Sequence, residues 1–409
     1  MFIIVFFFFG ILSIPAIIFS VAFIPALSFW WTWLNNGEYI NYHDHWLQSD
    51  LHYVDQAIFY SLISFLSSLS CIFLLNINFY KRILYFKSMP RCPSYFYLIL
   101  IFLFMYFFWL SEPSFHNILS STYTEIRQGR YDQTQFAGSL AVIFWLIAFS
   151  IYLSRKNCEA ITKKNILNKI FIYLTILAMF WLFLHARRNE LIGIGVVSLL
   201  AMSERKSKNR VTMITIFFLA LLVMVERVRT DGLFIYAGGF DLGSATSKSG
   251  IFSLPGGMSN IFMSYLQSLH FFDGSDYFLG ETYINYVLQL LPTFLSSFFG
   301  LSPPNYFYQD VIENYSNNGG LYVGAEIYGN FGSIGVLLFG IFVSFYIFII
   351  TFLIRSKNLV SRVLALFLVA LVFRGFWYGM VALTKPIFIV FFPAYLLFFL
   401  VKVRRAERH

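Results

Sequence analysis

Five arginines and a small set of acids stand apart from the other charged residues of this chain. Arg187 and Arg188 are adjacent in a polar knot, His185-Ala186-Arg187-Arg188-Asn189-Glu190, between two apolar runs; Arg374 lies inside another run, and Arg227 and Arg229 open the longest polar stretch. A guanidinium keeps its charge, and its planar fork makes paired bonds to phosphate oxygens, so this set suits a phosphate or diphosphate held at a membrane surface. Arg374 follows Arg362 by twelve residues in one apolar run. That is about 18 Å along a helix and past the midplane, where an arginine costs on the order of 2.5–3.5 kcal/mol on insertion scales and a functional partner is expected. Snorkelling, or pairing with Glu190, Glu226 or Asp231, is the competing structural role.

The long stretch from Arg227 to Asn330 carries Asp231, Asp241, Asp273, Asp276, Glu281, Asp310, Glu313 and Glu326 against only Arg227, Arg229 and Lys248. A carboxylate or imidazole near a membrane surface can take the proton of an attacking hydroxyl while cations stabilise a departing phosphate. Glu326 leads the candidates for that base because it directly precedes an apolar run; His270, Asp310 and Glu313 follow, and each has an ordinary alternative as a solvated loop residue. His43, Asp44, His45, Asp50, His52 and Asp55 are metal-ligand types, but neither a His-x-x-x-His nor a His-Glu-x-x-His spacing is present, so no metal site and no cofactor are expected. Walker, dinucleotide and nucleophile-elbow patterns are also missing.

The elements that must position these groups follow from composition. Of 409 residues, 58% are hydrophobic, 21% aromatic and only 12% charged, about half the charge of a soluble domain. With a mean hydropathy of +0.70, the chain reads as an all-α polytopic membrane protein. Apolar runs at about 2 to 24, 57 to 79, 94 to 111, 136 to 153, 170 to 186, 190 to 203, 211 to 226, 331 to 354, 363 to 383 and 386 to 401 predict ten spans, the fifth and sixth short enough to form a re-entrant hairpin instead. The first run lacks a basic flank and is expected to be a retained anchor.

The basic residues fix the orientation. Lys81, Arg82, Lys87 and Arg91 share one gap; Arg155, Lys156, Lys163, Lys164 and Lys169 share another; Arg205, Lys206, Lys208 and Arg210 a third; Arg355, Lys357 and Arg362 a fourth; and Lys402, Arg404, Arg405 and Arg408 end the chain. These gaps hold 20 of the 29 basic residues but only Glu159, Glu204 and Glu407 among the 20 acids. Such gaps are cytoplasmic by the positive-inside rule, which places both termini in the cytoplasm and makes nucleic acid an unneeded explanation for the net charge of +9. Cys71, Cys92 and Cys158 read as structural thiols.

The expected organisation is a bundle of seven spans over residues 1–226, a large outer loop over 227–330, and three spans with a basic tail over 331–409. A loop of that size exceeds an unstructured connection of about 12–15 residues. Within it Met258, Ile261, Phe262, Tyr265, Leu266 and Leu269 share one helical face, with Ser259, Asn260, Ser264, Gln267 and Ser268 opposite. Ile284, Val287, Leu288 and Leu291 form a second apolar face before Pro292. Both segments predict helices lying in the membrane interface as lids.

At Ala186-Arg187-Arg188-Asn189-Glu190-Leu191-Ile192-Gly193, and again at Gly324-Ala325-Glu326-Ile327-Tyr328-Gly329-Asn330-Phe331-Gly332-Ser333-Ile334-Gly335, the chain resembles bacterial oligosaccharide repeat-unit polymerases of the O-antigen (Wzy) type. The resemblance extends to the plan of ten or more spans with one large periplasmic loop late in the chain, a bundle like that of GT-C enzymes. It implies a metal-independent glycosyltransferase of the bacterial inner membrane, acting at the periplasmic face. Its partners would be an undecaprenyl-diphosphate-linked glycan donor and acceptor, membrane lipids and a chain-length regulator protein. Arg187, Arg188 and Arg374 would neutralise the diphosphate, Arg227 and Arg229 would help hold the second lipid, and Glu326 or His270 would activate the acceptor hydroxyl. His270 is kept because the related ligases use a loop histidine. Two alternatives stay open: a flippase for the same lipid-linked glycan, and a GT-C glycosyltransferase with a polyprenyl-phosphate sugar donor, for which Asp44, Asp50 or Asp55 would serve as the acid.

Overall fold

The computed structural model describes residues 14–36, 53–75, 256–289, 321–356 and 358–393, with short stretches at 99, 101–106, 144–145, 147–148, 173, 193, 195–197 and 395–396. The main helices are α1 (Ile14–Asn36), α2 (Tyr53–Leu74), α3 (Gly256–Phe271), α4 (Glu281–Gln289), α5 (Val323–Arg355), α6 (Leu359–Tyr378) and α7 (Met380–Pro386), the last followed by a π-helical turn, Ile387–Phe391. Apart from one isolated parallel bridge between Leu321 and Tyr378, no strand occurs among the described residues. Three helices, Tyr53–Leu74, Val323–Arg355 and Val360–Tyr378, are long and apolar enough to cross a membrane. The described part is therefore that of a helical membrane protein. Most of the spans expected between 94 and 226 lie outside the described residues.

The chain divides into two compact units. One comprises Met1–Arg82, Ser253–Ile349 and Arg374–Phe388; the other comprises Ile83–Phe252, Ile350–Phe373 and Ile389–His409. In the second unit Trp145 and Ile147 are buried, Phe367 stacks on Phe391 with ring centroids 5.7 Å apart, and a Cβ on Gly193 would fall 2.1 Å from the Ala370 carbonyl oxygen. Gly193 closes the first arginine-bearing motif, and its missing side chain lets two backbones touch.

In the first unit, α1 contains Pro25 and continues to Asn36, past the expected end of the first apolar run at about residue 24. A proline has no N–H for the carbonyl four residues back, here Val21. That carbonyl instead accepts the indole N–H of Trp377 at 3.0 Å, while Ala22 O takes the Tyr322 hydroxyl at 2.7 Å. Two buried side chains from distant segments thus stabilise the helix where its own ladder is broken. Phe19, Phe23 and Phe29 fill the space between α1 and its neighbours; Phe23 meets Phe65 at 5.3 Å and Phe339 at 5.7 Å, and Phe29 meets Phe262 at 5.3 Å.

Helices α2 and α5 meet along a seam of small residues, the packing expected where lipid removes the hydrophobic drive between helices. Ser64 Oγ donates to Val336 O at 2.7 Å, Ser68 and Ser344 hydroxyls lie 2.9 Å apart, and Ser344 Oγ reaches Ser68 O at 2.8 Å. Gly340 is the contact point: an added Cβ would lie 2.2 Å from Ser64 O and 2.9 Å from Ser67 Cβ. Gly340→Ala is therefore expected to destabilise the protein by about 1–3 kcal/mol, seen as a lower melting temperature in detergent. An unchanged melt would mean that the seam does not hold the two helices together.

Two glycines break helices where the sequence predicted continuous spans. Gly332, at φ 58 and ψ −141, divides α5, and a Cβ on Gly335 would sit 2.5 Å from Ile327 O, so the segments on either side of the break pack on each other. Gly379, at φ 83 and ψ 167, ends α6 before the expected limit at 383. Gly375 and Gly379 consequently do not share a helical face; Gly375 instead packs against Leu383 of α7, 3.0 Å from where its Cβ would be. Arg374 lies one turn from the end of α6, about 6 Å from Tyr378 along the axis.

Helix α3 forms where expected but has no wet polar face between Ile261 and Leu269. From Ile261 to Leu269 every side chain is buried, including Ser264, Gln267 and Ser268, and the helix packs on α1 and α2. Its serines turn inward on the helix, Ser264 to Ile261 O at 2.6 Å and Ser268 to Ser264 O at 2.9 Å. A hydroxyl satisfied in this way needs no water, so the polar letters did not mark a wet face. On helix α4, Thr282 and Tyr286 are buried, while Ile284 and Val287 are each 64% exposed.

Candidate active site

Glu326 is in the first turn of α5, six residues before the break at Gly332, and its residue is fully buried. Its Oε2 accepts the backbone N–H of Met380 at 2.9 Å, the first residue of α7. Gly379 makes this possible, since a Cβ there would lie 2.9 Å from Oε2. The backbone just before α5 is tied to the same turn by Leu321 N–H donating to Trp377 O at 3.1 Å. One oxygen of the carboxyl thus caps the start of a short helix. The other, Oε1, is buried and has no hydrogen-bond partner among the described residues.

Tyr283 and Tyr286 of α4 complete the surroundings. Burial first, and the charge of Glu326 second, push both phenols well above the ordinary tyrosine range, so at neutral pH each is a neutral hydroxyl with a proton to donate. The Tyr283 hydroxyl is buried and unpaired among the described residues, while its ring stacks on Phe331 at 6.1 Å.

Asn330, one helical turn after Glu326, ties α4 to this arrangement. Its Oδ1 accepts the Gly280 N–H at 3.1 Å, its Nδ2 donates to Glu326 O at 2.8 Å, and its amide lies within hydrogen-bond distance of Thr282 Oγ1. Phe278 N–H adds a bond to Gly329 O at 3.1 Å. Leu279 at φ 48 and Gly280 at φ 91 make the tight entry into α4. The sequence motif from Gly324 to Gly335 therefore supplies a carboxyl, the amide that holds its neighbours and the glycine at which the chain bends.

The other expected site residues are placed differently. His270 is half-buried at the end of α3 and stacks on Tyr53 at 5.6 Å; the Tyr53 hydroxyl donates to Asp273. Neither His270 nor Arg374 is among the partners of Glu326. Asp55 is exposed in the first turn of α2, where an acid complements the helix N-terminus. Arg187, Arg188, Arg227, Arg229, Asp310 and Glu313, with His43, Asp44, His45, Asp50 and His52, lie outside the described residues. Sequence reasoning missed Tyr283, Tyr286 and the Gly379-Met380 turn. The one available signal was the tyrosine pair at i and i+3 in a segment whose apolar residues took another face.

These features define a class, a helical membrane protein with a buried carboxyl held at the junction of two broken helices. No protein family, curated protein or solved structure matches the chain.

Proposed function

We propose that this protein is a polysaccharide polymerase that joins undecaprenyl-diphosphate-linked oligosaccharide repeat units at the periplasmic face of the bacterial inner membrane. The growing glycan on its lipid diphosphate is the donor. A hydroxyl of a new lipid-linked unit attacks the donor's anomeric carbon, undecaprenyl diphosphate leaves with the bonding electrons, and a base removes the hydroxyl proton. The observation that carries this reading is Glu326, buried, with one oxygen fixed by Met380 N–H and the other unpaired. A carboxyl used only as a cap has no need of burial at the cost of an unsatisfied oxygen, and unsatisfied polar atoms mark functional positions. Arg187, Arg188, Arg227, Arg229 and Arg374 are the proposed ligands of the diphosphates, by the chemistry of the guanidinium fork.

The test is reconstitution of the purified protein in vesicles with an undecaprenyl-diphosphate oligosaccharide in EDTA. A ladder of longer lipid-linked glycans is expected. Movement of the lipid across the bilayer without a ladder would instead identify a flippase, and a ladder that forms only after metal is restored would overturn the metal-independent mechanism.

A further inference from the structure

Helix α2 sets a level in the membrane. Its 22 residues are about 33 Å long, little more than the ~30 Å of a bilayer's hydrocarbon core, so a span of this length begins at one edge of that core. Asp55 is exposed in its first turn, and Phe59, Leu62 and Leu66 are the exposed apolar residues that follow. The boundary with water therefore crosses α2 between Asp55 and Phe59, one turn apart. Tyr60, the next residue, carries that level to α5, because its hydroxyl lies 3.3 Å from Ser333 Oγ. The exposed apolar face of α5 starts at the same place, with Ile334, Leu337, Ile341 and Phe345.

The bend at Gly332 is thus at the membrane edge, and it is the tip of a hairpin. A Cβ on Gly335 would meet Ile327 O, and the rings of Tyr322 and Phe339 are 5.5 Å apart, although a straight helix would separate these pairs by about 12 and 25 Å. Helix α4 hangs on that tip. Phe278 N–H donates to Gly329 O, Gly280 N–H donates to Asn330 Oδ1, and the Tyr283 ring stacks on Phe331. Thr282 and Tyr286 are its buried side. Away from them stand Ile284 and Val287, one turn apart and exposed, with Leu279 at the helix entry 81% exposed. Glu281, also exposed, shares a flank with Asn285 four residues on. A helix with one side on protein, one apolar and one polar, held where hydrocarbon meets water, fits a membrane surface.

We infer that α4 is an interfacial anchor, seated in the headgroup boundary of that leaflet with Leu279, Ile284 and Val287 against acyl chains and Glu281 toward water. Lipid is the occupant of this face because the exposed apolar face of α5 begins at the bend to which α4 is bonded. The assignment is independent of the polymerase reading.

The experiment uses the full chain carrying Cys71→Ser, Cys92→Ser and Cys158→Ser, reconstituted in vesicles of phosphatidylethanolamine and phosphatidylglycerol. Nitroxide labels are placed singly through Ile284→Cys, Val287→Cys and Glu281→Cys. Phe345→Cys within the span and Asp276→Cys on the exposed loop are the references. Collision of each label with oxygen, which concentrates in hydrocarbon, and with a neutral nickel chelate, which stays in water, is measured by electron paramagnetic resonance. The oxygen-to-nickel ratio at 284 and 287 is expected to be several-fold above that at 276 and below that at 345, and the ratio at 281 to be lower than at 284. A ratio at 284 and 287 equal to that at 276 would mean that the face meets water and would overturn the anchor. Labels at 284 and 287 that neither reagent reaches would overturn it too, because protein would then cover the face.

Discussion

Glu326→Gln is expected to slow ladder formation by about 10²- to 10⁴-fold, the usual contribution of a general base, with little change in melting temperature. The substitution keeps the shape of the side chain, and the amide oxygen can still accept Met380 N–H, the bond that Oε2 makes at 2.9 Å. What it removes is the ability to take a proton. Replacing a buried ionisable group by a neutral isostere also removes a desolvation cost, so the variant should fold at least as well as the wild type. Glu326→Ala separates the two roles of the residue. It loses the base and also leaves the Met380 N–H unpaired, so it should lose activity to the same extent and melt lower as well. Rates are measured from the ladder at saturating acceptor and folding from thermal melts in the same detergent. If Glu326→Gln polymerises within about threefold of wild type, far less than a general base contributes, the carboxyl is a helix cap alone and the base lies elsewhere.

What the sequence made legible depended on how local the cause was. Helical character and the long apolar spans could be read from composition and periodicity, and the short motif that carries the resemblance marked the stretch that holds Glu326, Asn330 and Gly332. The partners could not, because they come from far along the chain: Met380 is 54 residues from Glu326, and Gly280 is 50 from Asn330. Periodicity tells which side of a helix is apolar, not which segment lies against it. Pro25 illustrates the same limit. It lies inside a helix that runs past the end of the first apolar run, because Trp377, 356 residues from Val21, donates to the Val21 carbonyl that the proline leaves open. The serines of α3 mislead in another way, since a hydroxyl paired with a nearby carbonyl packs like a small apolar group. Gly379 falls inside the apolar run expected to span from 363 to 383, whereas its positive φ ends the helix and clears space for Glu326. Two of these cases, Trp377 and Gly379, involve the segment that ends α6, where tertiary contacts overrode a local rule.

Gly332→Ala should be the most damaging single-methyl change near the site, for two separable reasons. The backbone at φ 58 and ψ −141 is one that L-residues rarely adopt, which costs about 1–3 kcal/mol. The new methyl would also fall 2.7 Å from Tyr277 Cζ and 2.8 Å from Cε2, and overpacking of that kind costs about 1–3 kcal/mol more. Gly274 provides the control: its φ of 86 carries a similar backbone strain, but no atom lies within 4 Å of its added Cβ. Gly274→Ala should therefore show only the conformational part of the loss. A cycle with Tyr277→Ala measures the steric part, because the double variant regains the cost of the clash but not that of the backbone. Activity should fall with Gly332→Ala beyond what the melt explains, since the break separates Glu326 and Asn330 from the span that follows, and any straightening of α5 moves both away from Met380 and α4. A Gly332→Ala protein that melts like wild type would show that α5 can run without the break, and the bent arrangement that holds Glu326 would then not be required by the fold.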